Sequence, residues 1–219
     1  TFKSIEIEDY ELKDELAHQQ YLLKKLRQQI LQEAIEGKLT ADWRIKNPDA
    51  ESANKLFSKI EKEKIQLLKD KKIKKQKVLP SISVEEIPFD LPNNWEWYHL
   101  NNLILENPRN GYSPKTVDFP TETKTLKLGA TTTGKFIGSE IKYVNETIEK
   151  DSFLWLNPGD ILIQRGNSID FVGVSAIYEG DKHQFMYPDL MMKLKPALGV
   201  SSKFLHHVLM SPFCRNYFR

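Results

Sequence analysis

Three short polar stretches carry the residue types able to read another molecule. Arg109, Asn110, Tyr112, Ser113 and Lys115 surround a Gly-Tyr-Ser-Pro turn in "NPRNGYSPK". Thr131, Thr132, Thr133 and Lys135 sit between glycines in "LGATTTGKF". Gln164, Arg165, Asn167 and Ser168 form "QRGNS" directly after an apolar run. These are side chains that read base edges. A guanidinium spans two acceptors of guanine, a carboxamide matches adenine, and threonine meets hydroxyl-compatible edges or the thymine methyl. Lysine and small hydroxyls also suit phosphates. The same residues make ordinary turns, so composition alone leaves both readings open.

Catalytic readings fare worse. Gly129, Gly134 and Lys135 spell most of a phosphate-binding loop. Such a loop needs Ser or Thr after the lysine and a helix opening at the phosphates. Here Phe136 follows, and "FIGSEIKYV" contains Gly138 and β-branched residues instead of a helical period. Pro48-Asp49 with Asp70-Lys71-Lys72 imitates a nuclease metal site, but about 20 helical residues would hold its halves ~30 Å apart. Neither a glycine-rich cofactor loop after a strand nor an Asn/Asp-Pro-Pro-aromatic methyltransferase motif is found. His206 and His207 are adjacent on a helix, where neighbours point in different directions. No catalytic residue, cofactor or metal site is expected.

The elements that must position the three stretches follow from periodicity. From Asp9 to about Gly37 there is no proline and no internal glycine. Leu12, Leu16, Gln19, Leu23, Leu26 and Ile30 follow one another by three and four. That spacing predicts a long helix with a narrow apolar seam, formed by Leu12, Leu16, Leu23, Leu26 and Ile30, for a partner helix. Gly37 is its expected C-cap. "TADWRIKNPD" reads as a turn, and a second helix is expected over 49–75, folding back as an antiparallel pair. Its end, "KDKKIKKQK", reads as a solvated tip or as a basic stripe for phosphates.

Three prolines mark 78–94 as a linker, after which the period shortens. Runs at 95–100, 125–130, 160–165, 172–178 and 189–195 read as strands, and 201–210 as a helix before Pro212. The expected fold class is α+β. Residues 1–80 form a helical region, 81–94 a linker, and 95–219 a β-rich domain.

Bulk composition fits a soluble cytoplasmic protein of 219 residues, 40% hydrophobic and 28% charged. No apolar leader or membrane span is legible. Cys214 is the single cysteine, which excludes an internal disulfide and any multi-cysteine metal site. The net charge of +2 hides a split, with 18 Lys/Arg against 14 Asp/Glu in 1–80 and 14 against 16 in 81–219. A basic footprint must therefore be local.

Taken together, "LRQQILQEAIEGKLTADWR", "IPFDLPNNWEWYHL", "NGYSPK", "KLGATTTGKF", "LNPGDILIQRGNSIDFVG" and "FLHHVLMSPFCRNYF" resemble the specificity subunit of type I restriction–modification enzymes. The likeness runs over nearly the whole chain. It implies a coiled-coil conserved region followed by one target-recognition domain, without catalytic activity. In that family, helices set the spacing between two recognition domains and dock the methyltransferase subunits. The restriction subunits supply ATP-driven translocation and cleavage. The implied ligand is double-stranded DNA. A single recognition domain implies half a subunit or a fragment, with its last elements beyond Arg219 and self-association open through the Leu12–Ile30 seam. A protein–protein adaptor, with the helical pair as its working surface, is the alternative.

Overall fold

The apolar triplet Ile161-Leu162-Ile163, followed by Gln164, is buried along its whole length and forms one of the two inner strands of the larger sheet. The computed structural model describes residues 2–166 and 168–218, with side chains from Tyr10 onward. In it β5 (Ile161–Gln164) pairs antiparallel with β7 (Met191–Leu194) on one side and β6 (Ser175–Ile177) on the other. On the outer side of β7 lies β1 (Arg109–Asn110), giving the order β1-β7-β5-β6. A strand covered on both faces loses the alternation of a half-exposed one, which explains the unbroken apolar run.

The two faces of β5 feed two clusters. Ile161 and Ile163, two residues apart, point to one face and meet Ile104, Leu194, Leu205 and Leu209. Leu162 points the other way, into Leu126, Ala130, Leu156, Tyr178, Tyr187 and Met191. Leu205 and Leu209 lie one turn apart on α5 (Ser202–Met210), which roofs the first face. The Ser201 side chain caps α5 by accepting from the Phe204 amide at 3.3 Å. Ser211 then ends α5 and starts α6 (Pro212–Tyr217), with Pro212 in the first turn, where its missing amide hydrogen does no harm.

A second, antiparallel sheet of order β2-β4-β3 joins Thr116–Val117, Ile141–Val144 and Thr123–Leu126. It is tied to the segment before β7 by a bridge between Thr125 and Met186. The architecture is α+β, as expected.

The long first helix is present as α1 (Phe2–Ile35), and Gly37 terminates it with a φ of 74°. The expected turn after it contains a short helix, α2 (Ala41–Lys46). The second long helix is shorter than expected: α3 runs Ala53–Lys69. The expected antiparallel pairing of α1 with α3 is not seen among the described residues. The apolar face of α3 is occupied by the β-rich part instead: Ile60 is buried, Phe57 stacks on Tyr98 at 4.3 Å, and Glu63 accepts from the Leu198 amide at 3.0 Å. Only the end of α1, around Leu31–Ile35, is partly buried, and α1 touches α5 and α6. Leu12, Leu16, Leu23, Leu26 and Ile30 are 46–68% exposed. Side-chain bonds one turn apart, such as Gln19 to Glu15 and Gln29 to Glu33, help that bare stretch hold a helix.

The run at 95–100 is not a strand. Its rings dock sideways, Trp95 edge-on to Phe204 and Trp97 against Phe89, before the single turn α4 (Leu100–Leu103). Among the described residues, no helix is long and apolar enough to cross a membrane.

Candidate nucleic-acid interface

The polar stretches are drawn together at the end of the larger sheet where β5 stops and β1 leaves. Asn110 and Gln164 flank β7, registered with Met192 and Met191. The loops that continue from them share a partner, the turn at 187–190. The Tyr112 amide donates to Tyr187 O at 3.0 Å, and the Arg165 amide donates to Leu190 O at 2.9 Å. Ser113 Oγ donates to Asp189 Oδ1 at 2.5 Å and accepts from the Asp189 amide at 3.2 Å. Gly111 makes this approach feasible, because a Cβ there would lie 2.0 Å from Tyr187 O.

The threonine turn is held from below. Gln164 is fully buried, and its Nε2 lies 3.1 Å from Leu128 O, 3.0 Å from Thr131 Oγ1 and 3.3 Å from Thr132 Oγ1. Two hydrogens shared among three acceptors make a clamp across 33 residues of sequence. Thr131 is buried with it. Gln164 and Thr131, both counted among the reading residues from the sequence, are thus buried and brace the turn from inside. Thr132 is half-buried and donates to Leu128 O at 3.0 Å. Thr133 and Lys135 are exposed. The segment after Lys135 leads through irregular chain to β4, so no helix N-terminus stands where a nucleotide phosphate would need one.

Among the remaining candidates, Asn110, Tyr112, Ser113, Lys115, Arg165 and Ser168 are exposed. Asn167 lies outside the described residues. The loop carrying Ser168 is fastened by Arg215, whose guanidinium donates to Asp170 O at 2.9 Å and to Val172 O. Arg109 is exposed but engaged, with its guanidinium 3.5 Å from the centre of the Phe153 ring and 3.9 Å from Glu106. Phe153 is fixed in turn by Lys193, whose Nζ donates to the carbonyls of Phe153 (2.5 Å) and Trp155 (2.9 Å) and lies 3.8 Å from Asp160. Burial pushes the Asp160 carboxyl above its usual range and the Lys193 ammonium below its own, and their attraction offsets only part of this.

Two acceptors at the site went unread in the sequence. Asp189 bonds Ser113, and Glu146 lies 3.3 Å from the Tyr112 hydroxyl. The Glu146 charge, more than the slight desolvation, raises the Tyr112 pKa and keeps the phenol a donor. Carboxylates in a reading surface suit the amino group of cytosine. No local motif marks either residue; only the tertiary fold brings them to the loops.

Among the described residues, no group of three or more His, Cys, Asp or Glu side chains is placed to hold a metal. His206 Nδ1 lies 2.9 Å from Ser175 Oγ, but Ser175 is fully buried. What the edge can offer is cations, a carboxamide, hydroxyls and carboxylates on stapled loops.

No protein-family model matches the chain. Two proteins of Escherichia coli are similar to it. The specificity subunit of the type I restriction enzyme EcoEI is 35% identical over 173 residues, or 77% of this chain. That of EcoAI is 35% identical over 189 residues, or 85% of this chain. The chain spans 28% of the length of each.

Proposed function

Because the chain belongs to the family of type I restriction enzyme specificity subunits, we propose that it reads DNA sequence and has no chemistry of its own. Methylation and cleavage are then the work of separate methyltransferase and restriction subunits. The observation that carries the reading is the convergence of separate polar loops on one sheet edge, with Arg165, Asn110, Ser113, Thr133 and Lys135 open to solvent. Asn167, two residues after Arg165 in the sequence, is included by its chemistry alone. Side chains of this kind, braced by buried bonds, can meet base edges without first losing much conformational freedom.

The bare seam of α1 serves a different contact. Five apolar side chains, each worth roughly 1.5–3 kcal/mol on full burial, suit another helix. A helix of the methyltransferase subunit or of a second copy of the chain fits that face. Dilution experiments on the isolated chain distinguish the two, since self-association alone depends on its own concentration.

Titration of a mixed-sequence duplex into the protein at rising salt tests the DNA reading. Affinity that falls steeply with salt supports it. A chain that binds no duplex even at 50 mM salt is an adaptor, and one that methylates or cuts DNA unaided is an enzyme; either result overturns the proposal.

A further inference from the structure

The lysine run after α3 is not a frayed helix end. The Lys72 amide donates to Leu67 O at 2.9 Å and the Lys71 amide to Leu68 O at 3.1 Å, closing the helix in a Schellman turn with Lys71 at a φ of 56°. Beyond it the chain is stapled back onto the domain. Lys64 Nζ bridges Gln76 Oε1 at 3.0 Å and Asn101 O at 2.9 Å, and Asn101 Nδ2 donates to Lys77 O at 3.2 Å. Ile73 is half-buried, whereas the lysines on either side point to solvent. The backbone carrying Lys71, Lys72, Lys74 and Lys75 is therefore held at both ends, and the four lysines share a groove of about 310 Å³ with Glu106, Asn107 and Arg109. Five cations face one carboxylate there. Within the lysine run, only Lys72 holds an ion pair among the described residues, 3.5 Å from Asp70.

The groove opens beside the first reading loop. Ser113 and Lys115 lie four and six residues beyond Arg109, within about 20 Å at the ~3.3 Å rise of extended chain. A duplex seated on the loops would bring its flanking phosphates within reach of the lysines. Resting on the DNA-reading proposal, we infer that Lys71, Lys72, Lys74 and Lys75, with Arg109, form a phosphate clamp that grips the DNA backbone beside the target site and carries no base preference. The fixed backbone favours this over a merely solvated tip, because a solvated tip needs no staple. Duplex DNA, with a charge every ~1.7 Å of axis, is the occupant that best complements several lysines held in a row.

The test compares wild type with the Lys71→Gln, Lys72→Gln, Lys74→Gln, Lys75→Gln variant on target and scrambled duplexes between 50 and 200 mM salt. Each phosphate contact contributes ~0.9 to the slope of log K against log salt, so the variant's slope should fall by about 3 to 4. Affinity should drop about tenfold or more, equally for both duplexes. The all-arginine variant should restore the slope. A Lys74→Gln, Lys75→Gln double variant, outside the turn that closes α3, should show about half the change and guards against misfolding of the larger set. An unchanged slope overturns the clamp while leaving sequence reading by the loops intact. Loss confined to the target duplex overturns it too, since that would make the lysines base readers. So does a variant that binds DNA normally but releases a polyglutamate peptide held by wild type, which marks a protein-docking patch. Wild type binding no duplex removes the DNA reading and the clamp with it.

Discussion

Arg165→Ala is the sharpest perturbation of the reading surface, because the Arg165 backbone is fixed and its side chain is not needed for the fold. The backbone amide of Arg165 donates to Leu190 O, a bond that alanine keeps. The guanidinium is exposed. Removing it should therefore change stability by no more than about 0.5 kcal/mol. Binding should change far more. A bidentate contact to guanine is worth about 1–3 kcal/mol, or roughly 5- to 150-fold in Kd. The assay is fluorescence anisotropy of a labelled duplex selected by the wild-type chain, alongside every single-base variant of that duplex. Arg165→Ala should lose affinity for the selected duplex and become indifferent at one base pair. A uniform loss, with the salt slope shallower by ~0.9, would make Arg165 a phosphate contact. Unchanged affinity on all duplexes would refute the assignment of Arg165 to the interface.

Gln164→Ala should act oppositely, destabilising the fold by about 2–4 kcal/mol because Leu128 O and the Thr131 hydroxyl lose a buried donor and a void is left. Chemical denaturation checks this, and a loss under about 0.5 kcal/mol with altered base preference would return Gln164 to the surface. His206 is kept below its usual pKa of 6.5, first by burial and then by the neighbouring His207 charge, while its Nδ1 faces the Ser175 hydroxyl. The unfolded chain thus takes up a proton near pH 6.5 that the folded chain refuses. Its contribution to stability is complete above that pH and declines as pH falls toward the depressed folded value. Thermal midpoints should drop more steeply as pH falls below 6.5 in wild type than in His206→Gln; equal slopes would contradict the assignment. Lys71→Gly should stabilise the chain by about 0.5–1 kcal/mol, since lysine holds a left-handed turn position natural to glycine, and a lower melting temperature would count against that.

Locally encoded features could be read from the residues themselves. The run around Ile161–Ile163 announces a strand, Ser201 marks a helix start, and Gly37 ends a helix by its tolerance of positive φ, whereas the short helix after Pro212 was not expected. Features decided by distant partners could not. Gln164 and Thr131 have the composition of surface loops, yet they satisfy each other in the interior. Trp95, Trp97 and Tyr98 have strand-forming side chains, but each finds a ring elsewhere in the chain to pack against. No helical period reveals that α3 faces Tyr98 and the residues around Val200, with Phe57 stacked on Tyr98. β1 and β2 are two residues long, too short for any alternation to show. Asp189 reaches the site only through the turn that leads into β7.

The central claim is that this chain selects DNA by sequence. Enrichment from a randomised duplex pool by the purified 219-residue chain measures it with no target assumed. A short, single, unbroken consensus emerging over successive rounds, and blurring at one position in Arg165→Ala, is the predicted outcome. Recovery of pool sequences at their input frequencies, by a chain shown to be folded, would contradict it.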